Sequence, residues 1–263
     1  MEDWWYFPVN TFALSYLLVA FLGASIGSFL TVLIHRVPLM VINDNHHQYN
    51  LFLPHSQCPE CHTSLRWYHN VPVISWLALR GRCHFCQAEI SCRYPLTETL
   101  FMLLAVVMAY FNADLFTLCF SLFFCGMLFA LTLIDLRYML LPDMLTLSLL
   151  WGGLLFHALA GEGEQGLKEA LYGAMAGYLS LWVLYWVFYG LTGREGLGGG
   201  DLKLLAALGA WSGWSQLPAI LLLSASLGIL GTLAVRLIGK KSLSDELPFG
   251  PCLAVAGLIF HFV

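Results

Sequence analysis

The chain has 263 residues, 59% of them hydrophobic and only 11% charged, with a net charge of -4. Soluble domains carry about 25% charged residues, so this composition excludes an ordinary globular enzyme and defines a polytopic membrane protein. Lys and Arg number 12, too few for a nucleic-acid binder. The first apolar segment is too long, and too poorly flanked by positive charge, for a cleaved signal peptide.

Met1 to Asn10 is aromatic and acidic, and Trp4, Trp5 and Tyr6 suit an interfacial belt. Thr11 to Ile34 runs 24 residues without a charge, enough to span a bilayer. Gly23 and Gly27 give it the GxxxG spacing that lets a neighbouring helix pack closely. His35-Arg36 ends the span. Val37 to Pro95 is the long polar region, the size of one small domain. Further apolar segments follow at 97–111, 115–134, 142–160, 170–191, 202–211, 216–238 and 248–263. The expected architecture is all-α, with about eight transmembrane segments and a small domain between the first and second. The glycine-rich stretch 192–201 cannot be a regular helix throughout, and 202–211 is too short for a full span. The acidic stretch 161–169 is expected to be a loop.

Positive charge tests this layout. With the N-terminus outside, the inner loops hold Arg36, Arg66, Arg80, Arg82, Arg93, Arg137, Arg194, Lys203, Arg236, Lys240 and Lys241. Lys168 alone falls outside, in a loop that also carries Glu162, Glu164 and Glu169. The polar domain, Asp135 and Asp201 therefore face the cytoplasm.

The eight cysteines divide by spacing. Cys58-Pro-Glu-Cys61 and Cys83-His-Phe-Cys86 are two CxxC pairs separated by 21 residues, close to a zinc ribbon. Two such knuckles close a tetrahedral thiolate shell, which zinc prefers in structural sites. In a reducing compartment the spacing favours metal over disulfides, and a small domain gains folding energy from the ion. Cys92, Cys119, Cys125 and Cys252 lie singly. His62 and His84 sit beside the knuckles as competing ligands or solvated side chains. His46-His47 with Asp44 reads as an exposed loop or a second metal group.

Lone carboxylates at the ends of apolar segments are functional-site hypotheses by default. Asp135 ends an inward-running span, and Asp201 follows Gly198-Gly199-Gly200, whose bare backbone admits close neighbours. Two carboxylates that share a proton can activate water for attack on a peptide carbonyl. The competing assignment makes each aspartate a helix cap or an ion-pair partner of Arg137 or Lys203. Asp143, after Pro142, is a rival second carboxylate, although its place suits a helix start. Lys203 reads as an interfacial lysine or as a group acting on an aspartate. Trp182, Tyr185, Trp186, Phe188 and Tyr189 read as membrane packing.

Longer stretches carry a resemblance. They are Gly27-Ser28-Phe29-Leu30, His35-Arg36-Val37-Pro38, the CPEC knuckle, Asn70 through Trp76, and Arg80-Gly81-Arg82-Cys83 with Cys86. They continue with Arg93-Tyr94-Pro95-Leu96, Ile134-Asp135, Leu140 through Asp143, Gly198 through Leu204, and Pro248-Phe249-Gly250-Pro251. In this order they resemble the type IV prepilin peptidases, bacterial inner-membrane aspartic proteases of the GxGD type. The resemblance covers most of the chain and implies two activities. One removes the positively charged leader of type IV prepilins or type II secretion pseudopilins, after a glycine and on the cytoplasmic side, with Asp135 and Asp201 as the catalytic pair. The other methylates the new N-terminal amine with S-adenosylmethionine, and the family associates it with the region 37–95. The implied division is 1–36 as tail and first helix, 37–95 as cytoplasmic zinc-binding domain and 96–263 as membrane peptidase domain.

The sequence assigns no residues to the methyl donor. Gly81 reads as a turn glycine or a place of close ligand approach, and Glu98 as an interfacial carboxylate or a group for the substrate amine. His69 stands where family members often carry Asp, and Thr97 where Val is common. Two other classes remain. A transporter would place acidic residues near the bilayer midplane, whereas both aspartates lie at cytoplasmic ends. A zinc-ribbon membrane scaffold would leave the Gly-Gly-Gly-Asp stretch unexplained.

Overall fold

The computed structural model describes residues 9–42, 50–51, 56–58, 60–111, 114–160, 163–194, 196–237 and 248–262. The N-terminal aromatics, Asp44 with His46 and His47, and Lys240 with Lys241 lie outside them. The described residues are helical with no named strand. The helices are α1 (Val9–Ile42), α2 (Ile74–Ala78), α3 (Arg93–Phe111), α4 (Leu115–Tyr138) and α5 (Asp143–Leu159). After them come α6 (Gly163–Thr192), α7 (Gly199–Ser212), α8 (Leu217–Leu237) and α9 (Gly250–Phe262). All but the five-residue α2 match the eight apolar segments of the sequence one for one. Among the described residues α1, α3, α4, α6 and the stretch Trp214–Ala234 are long and apolar enough to cross a membrane. The protein is an all-α, multi-pass membrane protein.

Contacts divide the chain into two units, Met1–Gly126 and Met127–Val263. In the first, α1 and α3 pack along each other. A β-carbon at Gly27 would lie 2.8 Å from the Cα of Glu98, and one at Gly23 would meet the Phe101 carbonyl. The GxxxG face is therefore the α3 contact, because only bare backbone permits that approach. At the start of α4 the exposed Asp114 carboxylate accepts the Thr117 amide and hydroxyl, both at 3.0 Å. These bonds hold its carboxyl below the usual carboxylate range and cap the helix.

Two helix boundaries differ from the sequence reading. α1 continues through Pro38 to Ile42 rather than stopping at Arg36. Proline costs an interior hydrogen bond, but Val37 and Pro38 are buried and packing holds the helix together. The acidic stretch after Glu162 is not a loop: α6 begins at Gly163. Glu164 lies in its first turn, where negative charge suits the helix dipole, and pairs with Lys168 at 2.8 Å.

The second unit is built around α7. Its 14 residues span about 21 Å at 1.5 Å per residue, short of a hydrocarbon core of about 30 Å. Leu202 and every residue from Leu204 to Trp211 are buried, and α5, α6 and α9 pack against the helix. The α6 contact is backbone on backbone, since a β-carbon at Gly173 or Gly209 would strike the other's carbonyl. Trp211 Nε1 donates to the Leu149 carbonyl at 2.8 Å, and His157 Nε2 lies 3.2 Å from the Trp211 carbonyl. Together these bonds tie α5 to the C-terminal end of α7. The aromatics Trp182, Trp186, Phe188 and Tyr189 are exposed on α6, as lipid-facing packing requires.

Replacing Gly209 with leucine should lower detergent-phase stability by about 3 kcal/mol or more, as overpacking a backbone contact does. Gly190→Ala on the same α6 meets nothing within 4 Å and should leave the melting temperature unchanged or raise it slightly. Thermal unfolding of the two variants separates the outcomes.

Candidate active site and metal centre

Asp135 lies three residues before the end of α4 and is 5% exposed. Its Oδ2 accepts the Gly250 amide at 3.0 Å, a bond across 115 residues. Gly250 is the first residue of α9, so the carboxylate meets the positive end of that helix. A β-carbon at Gly250 would sit 2.6 Å from the same oxygen. Glycine there is a requirement of close approach. Asp201 occupies the first turn of α7, half-buried, and its amide donates to the Gly198 carbonyl at 3.1 Å.

Leu141, in the linker between α4 and α5, fills the space beside both helix starts. A β-carbon at Gly200 would lie 2.6 Å from its Cβ, and one at Gly250 would lie 3.3 Å from its Cδ2. Gly200 thus lets α7 seat against Leu141, which accounts for the glycine immediately before Asp201. Sequence reasoning gave no role to Gly250 or Leu141. The signal available was Pro248-Phe249-Gly250-Pro251, a glycine bracketed by prolines at a helix start.

The rival groups are placed elsewhere. Asp143 is exposed at the first position of α5 and forms an ion pair with Lys203. Lys203 is therefore occupied by Asp143 rather than by Asp201. Glu98 is buried, and its Oε2 accepts the Val73 amide at 2.7 Å.

The four CxxC cysteines converge. Their sulfurs all lie within 4.8 Å of one another, and Cys58 Sγ and Cys86 Sγ are 3.7 Å apart. A tetrahedral ion with metal–sulfur bonds of about 2.3 Å sets its sulfurs about 3.8 Å apart, so the cradle fits zinc. Two matching turns build it. In the first, His62 N–H donates to the Cys58 carbonyl at 2.9 Å and Cys58 N–H to the Thr63 carbonyl at 3.1 Å. In the second, Gln87 N–H donates to the Cys83 carbonyl at 3.1 Å and Cys83 N–H to the Ala88 carbonyl at 2.8 Å. His62 and Gln87, each directly after its second cysteine, take positive φ of 54° and 59°. Hydrogen bonds from the Thr63 hydroxyl and amide draw the Cys61 thiol down to about 6. Against the Ala88 amide, burial and the other three sulfurs push Cys86 up to about 12. Four thiols this crowded compete for protons, and a bound cation relieves that competition.

His62 and His84 are exposed, outside the sulfur cluster. His84 joins Tyr68, His69 and Phe85 in a ring cluster, with His69 and His84 centroids 5.2 Å apart. Desolvation, then the nearby His84, lowers the His69 pKa below its ordinary value. Gly81 has φ of 71°, and a β-carbon there would meet the Trp76 ring at 2.9 Å. It is a turn glycine packed under an indole.

Comparison with known proteins agrees with this architecture. Residues 21–112 match the model of the bacterial peptidase A24 N-terminal domain, and residues 122–233 that of the type IV leader peptidase family. The chain is 48% identical over 259 residues to a prepilin leader peptidase/N-methyltransferase of Aeromonas salmonicida, covering 92% of this chain and 88% of the relative. A protein of the same name from Aeromonas hydrophila is 48% identical over 258 residues, with the same coverage. One from Stutzerimonas stutzeri is 44% identical over 254 residues, covering 90% of this chain and 87% of the relative. No solved structure matches. The chain belongs to the type IV leader peptidase family and is an enzyme of that family.

The Asp143–Lys203 pair is largely exposed, and such pairs contribute about 0–1 kcal/mol. Asp143→Asn should therefore change thermal stability by no more than about 1 kcal/mol, as differential scanning of the purified variant would register.

Proposed function

We propose that this chain cleaves the leader peptide of prepilins or pseudopilins and methylates the new N-terminus, the activities named for its relatives. The observation that carries the peptidase reading is that the α9 start bonded to buried Asp135 and the Gly200–Asp201 start of α7 both seat against Leu141. A water between the two carboxylates attacks the scissile carbonyl carbon after the leader's last glycine. The ionised carboxylate takes the water proton as the new C–O bond forms. The protonated one donates to the developing oxyanion, and collapse of the intermediate delivers a proton to the departing amine. No covalent intermediate with the protein is formed.

Cys58, Cys61, Cys83 and Cys86 hold zinc in this reading. Four thiolates leave no open coordination position, so the ion is structural and stabilises the fold of its domain. S-adenosylmethionine would supply the methyl group as a co-substrate, leaving as S-adenosylhomocysteine while the amine freed by cleavage loses a proton. The bias of Lys and Arg to one set of loops supports an inner-membrane topology with a periplasmic N-terminus. The cysteine domain and the aspartate pair then face the cytoplasm, where the charged leader resides. The division into a tail with first helix (1–36), a zinc-binding domain (37–95) and a peptidase domain (96–263) belongs to the same proposal.

Asp135→Asn and Asp201→Asn should each abolish leader cleavage with folded protein retained, as mass spectrometry of a synthetic prepilin leader would record. Equal cleavage by wild type and Asp201→Asn would remove Asp201 from the chemistry. Cys83→Ser should release the metal, measured by elemental analysis, and lower the melting temperature of the protein. Loss of metal with an unchanged melting temperature would overturn the structural role.

A further inference from the structure

The segment that precedes α3 is placed by one bond. Glu98 lies against α1 at Gly27, so close that a β-carbon there would be 2.8 Å from the Glu98 Cα. Gly27 is seven residues inside the cytoplasmic end of the uncharged run 11–34, which is about 10 Å at 1.5 Å per residue. Counted along α3, Glu98 is five residues past Arg93, about 7 Å further from the aqueous side. Helical side chains lean toward the helix N-terminus, so the Glu98 carboxylate recovers only part of that depth. Counted this way, the Val73 amide, 2.7 Å from Glu98 Oε2, is level with the cytoplasmic part of the uncharged run 11–34.

Non-helical backbone persists at membrane depth only where its polar groups find partners within the protein. Here they do. Pro72 has no amide hydrogen, Val73 donates to Glu98, Ile74 to the Pro72 carbonyl, and Ser75 to the Val71 carbonyl at 3.1 Å. The Ile74 bond closes a γ-turn centred on Val73, which has φ of 60° and ψ of -50°. A β-branched residue in that region is strained, and the Glu98 bond is what holds it.

The short helix that follows has two unlike sides. Trp76 turns inward, its ring against Gly81 and its Nε1 donating to the Ile90 carbonyl at 3.2 Å, while Ser75 Oγ donates to the Tyr68 carbonyl at 2.7 Å. Ile74 and Leu77, three residues apart on the opposite side, are each 63% exposed. On α3, Leu96, Leu100 and Leu103 are likewise exposed, and this is the lipid-facing side of a membrane helix. Arg66, Arg80, Arg82 and Arg93 are exposed around the segment.

We propose that residues 71–78 are seated in the cytoplasmic leaflet, with Ile74 and Leu77 among the acyl chains. The four arginines lie at the level of anionic headgroups, and Glu98 is the positioning residue that clasps the segment to α3. The occupant of the apolar face is lipid. The observation behind this is the Glu98–Val73 bond near the level of Gly27, together with the exposure of Ile74 and Leu77 on a segment flanked in sequence by four exposed arginines.

The test uses full-length protein in nanodiscs of phosphatidylethanolamine and phosphatidylglycerol. A spin-labelled non-natural residue replaces Leu77, leaving every cysteine native. Labels at Leu103 and Glu89 serve as lipid and water references, and collision with oxygen or a nickel chelate is read by electron paramagnetic resonance. The label at 77 should match Leu103, reached by oxygen and lost to nickel. A label that follows Glu89 would overturn the proposal. One shielded from both reagents would overturn lipid as the occupant and assign the face to a protein segment. Glu98→Leu should shift the label at 77 toward nickel access, and Glu98→Gln, which keeps an acceptor, should restore the wild-type reading. An unchanged label in Glu98→Leu would remove Glu98 as the clasp.

Discussion

A polar group in an apolar environment must find its partner within the chain, and this constraint organises both units. Asp135 is tolerable at the buried end of α4 because the first amide of α9 points at it. Glu98 is tolerable beneath the cysteine domain because a turn amide needs the acceptor it offers. Trp211 can sit at the C-terminal end of α7 because its indole reaches a carbonyl of α5. Each case joins a side chain from one helix to backbone from another segment. The polar groups of the bundle are therefore also its fasteners, since the surrounding lipid offers no competing hydrogen bonds.

The two candidate centres illustrate different ways of concentrating charge. Around the cysteines, two similar turns, each with a residue at positive φ, bring four sulfurs together from a short stretch of chain. Local geometry does nearly all of that assembly. The aspartate pair has little local structure of its own. It depends on three helix ends and one leucine, and on glycines at the two points where a side chain would collide. A centre made from separate helix termini is sensitive to how those helices seat. Backbone contact with α6 and the side-chain bonds of Trp211 and His157 to α5 hold α7 in place.

Much of this was legible in the sequence. Span lengths gave eight segments, and each corresponds to a helix. The CxxC spacing brought the four cysteines into one group. The isolation of Asp135 and Asp201 among apolar residues marked them as candidates. What escaped were contacts between distant positions and the local continuations they permit. Nothing near Gly250 announces that its amide will meet Asp135 across 115 residues. The Glu98–Val73 bond was hidden because its donor is backbone, which carries no residue-type signal. The run of α1 through Pro38 and the early start of α6 are set by packing and an i,i+4 ion pair that override composition.

The contact between α6 and α7 has a consequence for motion. Gly173 meets Gly209, and a β-carbon at Gly177 would lie 2.6 Å from the Leu205 carbonyl, so the helices are keyed at two points one turn apart. A keyed pair cannot glide: intermediate registers would drive carbonyls into side chains, leaving only jumps of a whole turn. Asp201 therefore travels with α6 as though the two helices were one solid rod.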